Sequence, residues 1–401
     1  MTTDDQLEQL RAHLEGALPD YLADLERLVN IDCGTYNKAG VDEVGRWVAA
    51  QMRELGATVE VVANETLGDS LVCVLEGSGD RTALLIGHLD TVFPDGTVAE
   101  RPFRIDGGRA YGPGVDDMKG GLLSGLYALR ALRSTRGAGL PQNWLPYARL
   151  TFVANSDEEI GSPSSTPIIE RAAADADVAL VLESARANGD IVSARKGIAD
   201  FRLTVSGRAA HAGVEPEKGR SATLEAAHKT LALHAINGRW PGVTVNVGVL
   251  SGGIRPNVVA ETCRLEVDLR ATTVADQEEA EAAIREIALS STVPDMTCAI
   301  ERVHRWAPME KTPEIAALAD LAISLAGRIG FSLRDAATGG ASDANTTSGM
   351  GVPSLDGLGP VGGADHAPGE YLEIDSIVPR TTLFAALLLA AAEPEADFPR
   401  A

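Results

Sequence analysis

The chain has 401 residues, of which 45% are hydrophobic and 23% are charged, and its formal net charge is −22. This length predicts two folded cores, and the strong negative charge argues against binding to nucleic acid or to an anionic bilayer surface. Residues 1–6 lack the basic and apolar pattern of a secretory signal, and the apolar run at 383–392 is too short to span a bilayer. We therefore expect a cytoplasmic protein without membrane association.

In the first half of the chain, short apolar runs alternate with stretches of helical spacing. This alternation is typical of an α/β domain in which a mostly parallel sheet is sandwiched by helices. Helices are predicted over 7–28 and 41–55. Strands are predicted over 58–62, 71–75, 83–86, 150–154 and 178–182.

From residue 199 the pattern changes to an α+β order. The predicted elements are a strand at 201–205, a helix at 222–236, strands at 243–250 and 263–269, a helix at 276–289 and a strand at 296–303. That order is the split βαβ, or ferredoxin-like, unit. Helices at 315–329 and 377–392 then resume the first pattern. We therefore predict one larger domain, residues 1–197 and 307–401, interrupted by a ferredoxin-like domain at 198–306.

The inserted sheet would leave an edge strand that needs cover. Pairing with a second copy of the chain is one way to cover it. We therefore expect a homodimer formed through the inserted domain.

His88 follows the apolar run 83–87, at the end of a predicted strand. Ligands of open α/β sheets bind just beyond the carboxyl ends of the strands. Asp90, two residues on, is suited to accept the proton on the imidazole nitrogen that does not bind a metal. A His-x-Asp sequence alone is more typical of a hydrogen-bonded core histidine.

Asp117 lies in a glycine-rich segment at 111–121 that precedes an apolar stripe of helical spacing. This places Asp117 at a predicted helix start, where backbone N–H groups and the helix dipole favour an ionised carboxylate. Such a carboxylate can bridge two cations, although the spacing alone is more typical of a capping aspartate.

Three acids at 157–159 follow one predicted strand, and Glu183 follows another. Like charges this close raise one another's pKa unless cations neutralise them. Side chains of adjacent residues cannot both point at one metal ion in the same manner. We therefore assign Glu159 as a metal ligand, and Glu158 as the general base and then as the acid that protonates the leaving amine. A solvated acidic loop is the alternative. His366, within 362–367, would supply the last nitrogen of a site for two metal ions about 3.5–4 Å apart.

The strings at 87–92, 112–121 and 157–162 resemble the di-zinc family that includes aminoacylase, succinyl-diaminopimelate desuccinylase and the folate-hydrolysing glutamate carboxypeptidase. The resemblance extends from about residue 20 to about residue 390. It implies that Asp117 bridges two zinc ions, that His88 and Glu183 complete one site, and that Glu159 and His366 complete the other. Sites of this kind also accept cobalt or manganese.

The resemblance further assigns residues of the inserted domain to substrate binding. It implies that His211 donates to the oxyanion in the site of a second subunit, and that Asn257 and Arg270 hold a substrate carboxylate. Gly340 would lie in a glycine-rich loop beside the substrate. A looser match at 301–309 implies that Arg305 recognises a glutamate side chain. We therefore expect a small substrate with a free carboxylate.

These residues favour a metal-dependent hydrolase that cleaves an N-acyl amino acid or the C-terminal residue of a short peptide, as a glutamate carboxypeptidase does. An N-acyl-amino-acid deacylase or a desuccinylase is the alternative within this class. A non-catalytic, metal-organised binding protein would have no use for Glu158. A dinucleotide-binding oxidoreductase is disfavoured because no GxGxxG sequence opens a helix after the first strand.

Overall fold

The computed structural model of the protein describes residues 2–136, 144–393 and 398. Residues 1, 137–143, 394–397 and 399–401 of the predicted larger domain, 1–197 and 307–401, therefore lie outside the described residues. The helices are α1 (Asp4–Val29), α2 (Lys38–Glu54), α3 (Thr97–Glu100), α4 (Gly121–Thr135), α5 (Thr166–Ala173), α6 (Ala222–Ala235), α7 (Val274–Leu289), α8 (Pro313–Ile329), α9 (Ala344–Gly349) and α10 (Ile374–Ala391).

Among the described residues, each of the nine predicted strands is present, and seven further short strands were not predicted. The strands are β1 (Thr58–Val62), β2 (Ser70–Glu76), β3 (Thr82–His88), β4 (Arg104–Asp106), β5 (Arg109–Tyr111), β6 (Arg149–Asn155), β7 (Val178–Val181), β8 (Ile191–Arg195), β9 (Gly197–Ser206), β10 (Thr244–Gly252), β11 (Thr262–Ala271), β12 (Thr297–Trp306), β13 (Asp335–Thr338), β14 (Ser354–Leu355), β15 (Gly362–Gly363) and β16 (Tyr371–Glu373).

The chain divides into two compact units. The larger contains Met1–Ser193, Lys311–Ala337 and Ser342–Ala401, and the smaller contains Ala194–Glu310 and Thr338–Ala341. The predicted boundaries at 198 and 306 fall just inside the smaller unit.

A six-stranded sheet of order β1-β2-β6-β3-β7-β14 forms the centre of the larger unit. Strands β6, β3, β7 and β14 run parallel, whereas β1 and β2 are antiparallel to their neighbours. Every residue of β7 is buried, which explains its continuous apolar sequence, because a strand covered on both faces needs no polar alternation. Because β6, β3 and β7 are adjacent and parallel, their carboxyl ends lie at the same edge of the sheet.

Helix α10 is strongly apolar. It is long and apolar enough to cross a membrane by length and composition, but 72% of its span is buried inside the protein. It packs against α1, α4 and α8. We therefore interpret α10 as a core helix.

The smaller unit has an antiparallel sheet of order β10-β11-β9-β12. Helices α6 and α7 pack against it, and the chain order β9-α6-β10-β11-α7-β12 with this strand order is the ferredoxin-like arrangement. Burial alternates along β11 because one sheet face meets the helices and the other does not. The predicted fold class, a mostly parallel α/β domain with a ferredoxin-like insertion, is confirmed.

Candidate metal centre

The edge where the parallel strands end carries the predicted ligands. His88 is the last residue of β3 and its side chain is 1% exposed. Glu159 lies in a single helical turn directly after β6, and Glu183 lies two residues after β7. Sheet topology therefore brings together three side chains that are up to 95 positions apart in the sequence.

Asp117 lies in an irregular turn, Val115–Gly120, ahead of α4. The sequence placed Asp117 at a helix start, and this was wrong in detail: the backbone of Asp117 is non-helical (φ −107°, ψ 96°) and α4 begins at Gly121. A side chain from far along the chain satisfies the backbone of this turn. The Glu370 carboxylate accepts hydrogen bonds from the backbone N–H groups of Gly114 (2.9 Å), Asp116 (2.9 Å) and Asp117 (3.1 Å), so the turn does not need helical hydrogen bonds.

The Asp117 carboxylate is shared between two histidines. Its Oδ1 lies 2.9 Å from His88 Nε2, and its Oδ2 lies 3.1 Å from His366 Nε2. Glu183 Oε1 lies 3.8 Å from His88 Nε2, and Glu159 Oε2 lies 3.1 Å from His366 Nε2. The five side chains thus form two groups, each with one imidazole and one glutamate, that have Asp117 in common.

Acids dominate the electrostatics of this cluster. Burial and the charge of Glu183 raise the pKa of Glu158 well above its usual value, and burial also raises the pKa of Glu159. Hydrogen bonds with Asp117 and Glu159 raise the pKa of His366 to about 10. Burial alone would lower the pKa of His88, but its contacts with Asp117 and Asp90 raise it well above its usual value. The cluster therefore favours bound positive charge.

The donor atoms fit divalent metal ions. Two sets, His88 with Glu158 and Glu183, and His88 with Asp117 and Glu159, have donor atoms within 4.8 Å of one another. The Oε1 atom of Glu159 is buried and has no hydrogen-bond partner among the described residues, so a metal ion bound there would satisfy it. Imidazole nitrogens combined with carboxylate oxygens suit zinc and similar transition metals.

Asp90 connects the histidine to the acidic turn. The Nδ1 atom of His88 lies 3.0 Å from the backbone oxygen of Asp90 and 3.5 Å from its Oδ1. The backbone carbonyl is therefore closer to the imidazole than the carboxylate that the sequence predicted as its acceptor. That carboxylate instead accepts hydrogen bonds from Thr35 Oγ1 (2.7 Å) and from the backbone N–H groups of Glu158 (3.3 Å) and Glu159 (3.4 Å). One side chain thus positions both ligand-bearing segments.

The sequence analysis missed two supporting acids, Glu370 and Asp343. Asp343 accepts hydrogen bonds from Asn155 Nδ2 (2.7 Å) and Ser162 Oγ (2.5 Å), which flank the acidic turn. The only available signals were an acid four residues beyond His366 and an acid in the glycine-rich loop at 338–344. Neither signal shows which backbone segment the carboxylate supports.

The predicted substrate-binding residues all lie in the smaller unit. His211 and Asn257 are exposed on adjoining segments, where Ala212 N–H donates to the Asn257 carbonyl (3.0 Å). Arg270 Nε donates to Asp268 (2.9 Å) and Arg305 Nε donates to Glu281 (2.9 Å).

Both arginines therefore have an acidic partner that the sequence analysis did not foresee. The carbonyl of Gly340 accepts a hydrogen bond from Arg195 Nη1 (3.1 Å). The roles of all five residues in substrate binding remain predictions.

The profile of Peptidase family M20/M25/M40 matches residues 84–390, a range that contains all five predicted ligands. The chain belongs to this peptidase family. Over 377 residues it is 32% identical to carboxypeptidase G2 from Pseudomonas sp. (strain RS-16), covering 92% of this chain and 89% of that protein. It is 28% identical to acetylornithine deacetylase from Proteus mirabilis (strain HI4320), covering 58% and 60% of the two chains.

The M20 fold is shared with solved structures. Aminopeptidase PepT from Bacillus cereus ATCC 10987 superposes with a TM-score of 0.74 at 24% identity, covering 94% of this chain and 99% of that one. These findings confirm the resemblance noted in the sequence. As an M20 peptidase, the protein is a metal-dependent hydrolase that acts on peptides or N-acyl amino acids.

Proposed function

We propose that this M20 hydrolase is glutamate carboxypeptidase-like and removes a C-terminal amino acid, with a free carboxylate, from a short peptide or N-acyl conjugate. The observation that carries the proposal is the Asp117 carboxylate, whose two oxygens lie 2.9 Å and 3.1 Å from two different imidazoles. This arrangement suits a bridging ligand of a two-metal hydrolytic site. The similarity to carboxypeptidase G2 along 92% of the chain supports the choice within the family.

In this proposal His88, Asp117 and Glu183 hold one zinc ion, and Asp117, Glu159 and His366 hold the other, with cobalt or manganese as substitutes. The bound metals would supply Lewis-acid activation of the attacking water and of the amide carbonyl. Glu158 takes the proton from that water and delivers it to the leaving amine nitrogen. Asp90 keeps His88 and the acidic turn in position.

The smaller unit contributes the remaining roles. We assign His211 as a donor to the oxyanion, Asn257 and Arg270 as partners of the substrate carboxylate, Gly340 as part of the loop beside it, and Arg305 as the residue that recognises an acidic side chain. Guanidinium groups pair with carboxylates through two parallel hydrogen bonds. To bind the substrate, Arg270 would have to release its hydrogen bond to Asp268, and Arg305 its hydrogen bond to Glu281.

We also propose a cytoplasmic homodimer in which residues 198–306 form the dimerisation or lid domain. Strand β10 is an edge of its sheet. Large apolar side chains are exposed on β10 and α6, among them Val249 (45%), Leu250 (49%) and Leu231 (71%), and a second copy would bury them. Light scattering at micromolar concentration should give the dimer mass, and Leu231→Asp should shift it toward the monomer; a monomeric wild-type protein would contradict the proposal.

A second candidate, an N-acyl-amino-acid deacylase, is favoured by the similarity to acetylornithine deacetylase. The two candidates differ in whether selectivity lies in the leaving amino acid or in the acyl group. A panel of N-acyl and peptidyl amino acids should be assayed with zinc, cobalt or manganese added. Preference for C-terminal glutamate across different acyl groups would support the carboxypeptidase, whereas indifference to the leaving amino acid would contradict it.

Arg305 provides the sharper test of glutamate recognition. Arg305→Ala should mainly raise KM for substrates with an acidic C-terminal residue. Arg302 is a matched control because its Nη1 also bonds Glu281, at 3.1 Å. If Arg302→Ala and Arg305→Ala have the same effect, or if neither changes selectivity, Arg305 does not read the substrate.

A further inference from the structure

Helix α10 buries one cation among its apolar residues. Arg380, near the middle of the helix, is 2% exposed, and burial lowers the pKa of its guanidinium to about 10. The group is therefore still charged at pH 7. Because a buried charge is costly unless its N–H groups find acceptors, the acceptors of Arg380 indicate which part of the chain it holds in place.

The hydrogen bonds of Arg380 to described residues all go to backbone carbonyls in two loops of the larger unit. Its Nε donates to Gly359 (3.0 Å), its Nη1 donates to Gly189 (3.0 Å), and its Nη2 donates to Gly357. The three donors lie in one rigid plane. Segment 357–359 is therefore held at a defined distance from α10 and from the loop at 189.

The segment that Arg380 holds lies directly against Glu183, a predicted metal ligand. Gly359 N–H donates to the Glu183 carbonyl (2.8 Å), and Ala185 N–H donates to the Pro360 carbonyl (2.9 Å). A Cβ atom at position 359 would lie 2.9 Å from the Glu183 carbonyl oxygen, so the two backbones leave no room for a side chain. Gly359 thus bonds Arg380 through its carbonyl and Glu183 through its N–H.

The same segment continues toward His366, another predicted ligand. Val361 N–H donates to Ser376 Oγ on α10 (2.9 Å). Gly362 approaches Asp116 so closely that a Cβ atom there would lie 2.3 Å from Asp116 Oδ1. The backbone is therefore held to within four positions of His366, and its first contact with a ligand-bearing residue is the one at Glu183.

We propose that Arg380 is a positioning residue of the metal centre that acts through Gly359 on the backbone at Glu183. It thereby raises the affinity of the proposed site of His88, Asp117 and Glu183 for its metal ion. The inference rests on the proposed function, because it uses the ligands that are assigned there.

The direct test is Arg380→Lys, which keeps a positive charge but loses the planar fork that reaches three carbonyls. We expect zinc affinity to fall by about 10- to 100-fold, the usual effect of losing a residue that supports a metal ligand. Competition with a chromophoric chelator measures this affinity on metal-free protein and needs no turnover. The KM for the substrate should stay the same, because a side chain that is 2% exposed cannot contact it.

A second variant, Gly359→Ala, tests the route while it keeps the guanidinium. The added methyl group would displace the Glu183 carbonyl, so zinc affinity should fall here too. Gly327→Ala is the matched control, because a Cβ atom at position 327 in α8 meets no atom within 4 Å, and its zinc affinity should equal that of the wild type. Wild-type zinc affinity in Arg380→Lys or in Gly359→Ala would overturn the inference. If Arg380→Lys does not fold, Gly359→Ala decides by itself.

A third variant separates positioning from stability. Leu387, about two turns further along α10, is 0% exposed. Leu387→Ala should lower the melting temperature of the metal-free protein, because it leaves a cavity in the core, but it should not change zinc affinity. An equal loss of zinc affinity in Leu387→Ala and Arg380→Lys would show that the loss follows stability, and the positioning role would be wrong.

The chelator competition also separates this inference from the proposed function. If the protein hydrolyses no peptidyl or N-acyl amino acid, but Arg380→Lys lowers zinc affinity and Leu387→Ala does not, the positioning role stands and the proposed function fails. If hydrolysis occurs and Arg380→Lys binds zinc as the wild type does, the positioning role fails and the hydrolase remains.

Discussion

Two clusters of buried charge in this protein contrast with each other. In the smaller unit, Glu225 and Lys229 on α6 are 1% and 2% exposed at their side chains and lie 3.1 Å apart. Lys229 Nζ donates to three carbonyls at the end of α7, including Ala288 (2.9 Å), and Glu225 accepts from the backbone N–H groups of Thr292 (3.0 Å) and Val293 (2.7 Å). Every charge there has partners within the protein.

The cluster at the edge of the larger sheet lacks this balance. Burial raises the pKa of both Glu158 and Glu159, and one oxygen of Glu159 has no partner among the described residues. The opposite holds for Glu225, whose pKa is lowered: burial opposes the shift, but its hydrogen bonds and Lys229 outweigh burial. A satisfied buried pair connects two helices, whereas a cluster of mutually repelling acids needs a cation from outside.

Removing metal should have the largest effect and should separate the two clusters. Dialysis against a chelator should abolish hydrolysis, and zinc, cobalt or manganese should restore it. The melting temperature should also fall, because a ligand at a thousandfold excess over its Kd stabilises the folded state by about 4 kcal/mol. Activity that survives complete metal removal, verified by plasma mass spectrometry, would contradict the assignment of the acidic cluster.

Substituting Glu158 tests the division between ligand and base. Glu158→Gln should lower kcat by about 10²–10⁴-fold, the usual range for general acid–base catalysis, with about the same metal content as the wild-type protein. Glu159→Gln is the matched neighbour and should lose metal as well as activity. If Glu158→Gln lost metal and Glu159→Gln did not, the two roles would have to be exchanged, an outcome that the proximity of Glu158 to His88 and Glu183 makes worth testing.

Breaking the pair in the smaller unit should affect stability alone. Lys229→Met would leave Glu225 buried with only its backbone donors, and uncompensated buried charges cost about 3–5 kcal/mol. Urea unfolding should show this loss, and Glu225→Gln combined with Lys229→Met should recover part of it. Metal content should stay the same in both variants; loss of metal would mean that the two clusters are coupled.

Much of this architecture could be predicted from local patterns. β1 was predicted at its observed bounds, 58–62. The order of elements after residue 199 was enough to indicate the ferredoxin-like unit, because six short elements in that order admit few topologies. The convergence of His88, Glu159 and Glu183 followed from a rule about where parallel strands end.

Long-range contacts of single side chains could not be predicted. The backbone of Asp117 is held by Glu370, more than 250 positions away, and no local pattern encodes such a partner. His366 adopts a positive φ of 61°, which is uncommon for a residue other than glycine. The pairing of Arg305 with Glu281 likewise depends on how α7 packs on β12.

The smallest expected effect is the pH dependence of the free energy of unfolding, which has opposite signs in the two clusters. The lowered pKa of Glu225 gives a stabilisation that is present above its usual value of 4.5 and is lost as the pH falls through the folded-state pKa. Glu225→Gln should therefore destabilise the protein at pH 7, and this difference should shrink in acid. The raised pKa of Glu158 has the reverse consequence in metal-free protein, because ionisation is opposed in the folded state and the cost grows as the pH rises above 4.5.

Glu158→Gln should consequently stabilise the metal-free protein at pH 7, by roughly 1.4 kcal/mol for each unit of pKa difference, and the gain should vanish near pH 4. Urea unfolding of both variants at pH 4 to 8, after chelation, measures the two slopes. If both substitutions change the free energy of unfolding in the same direction, the acids at the sheet edge do not repel one another in the folded metal-free protein. Local opening of the turn at 157–161 would be one way to separate them. Opposite signs would show that the acidic cluster at the sheet edge is destabilised without a cation, whereas the Glu225–Lys229 pair is stable without one.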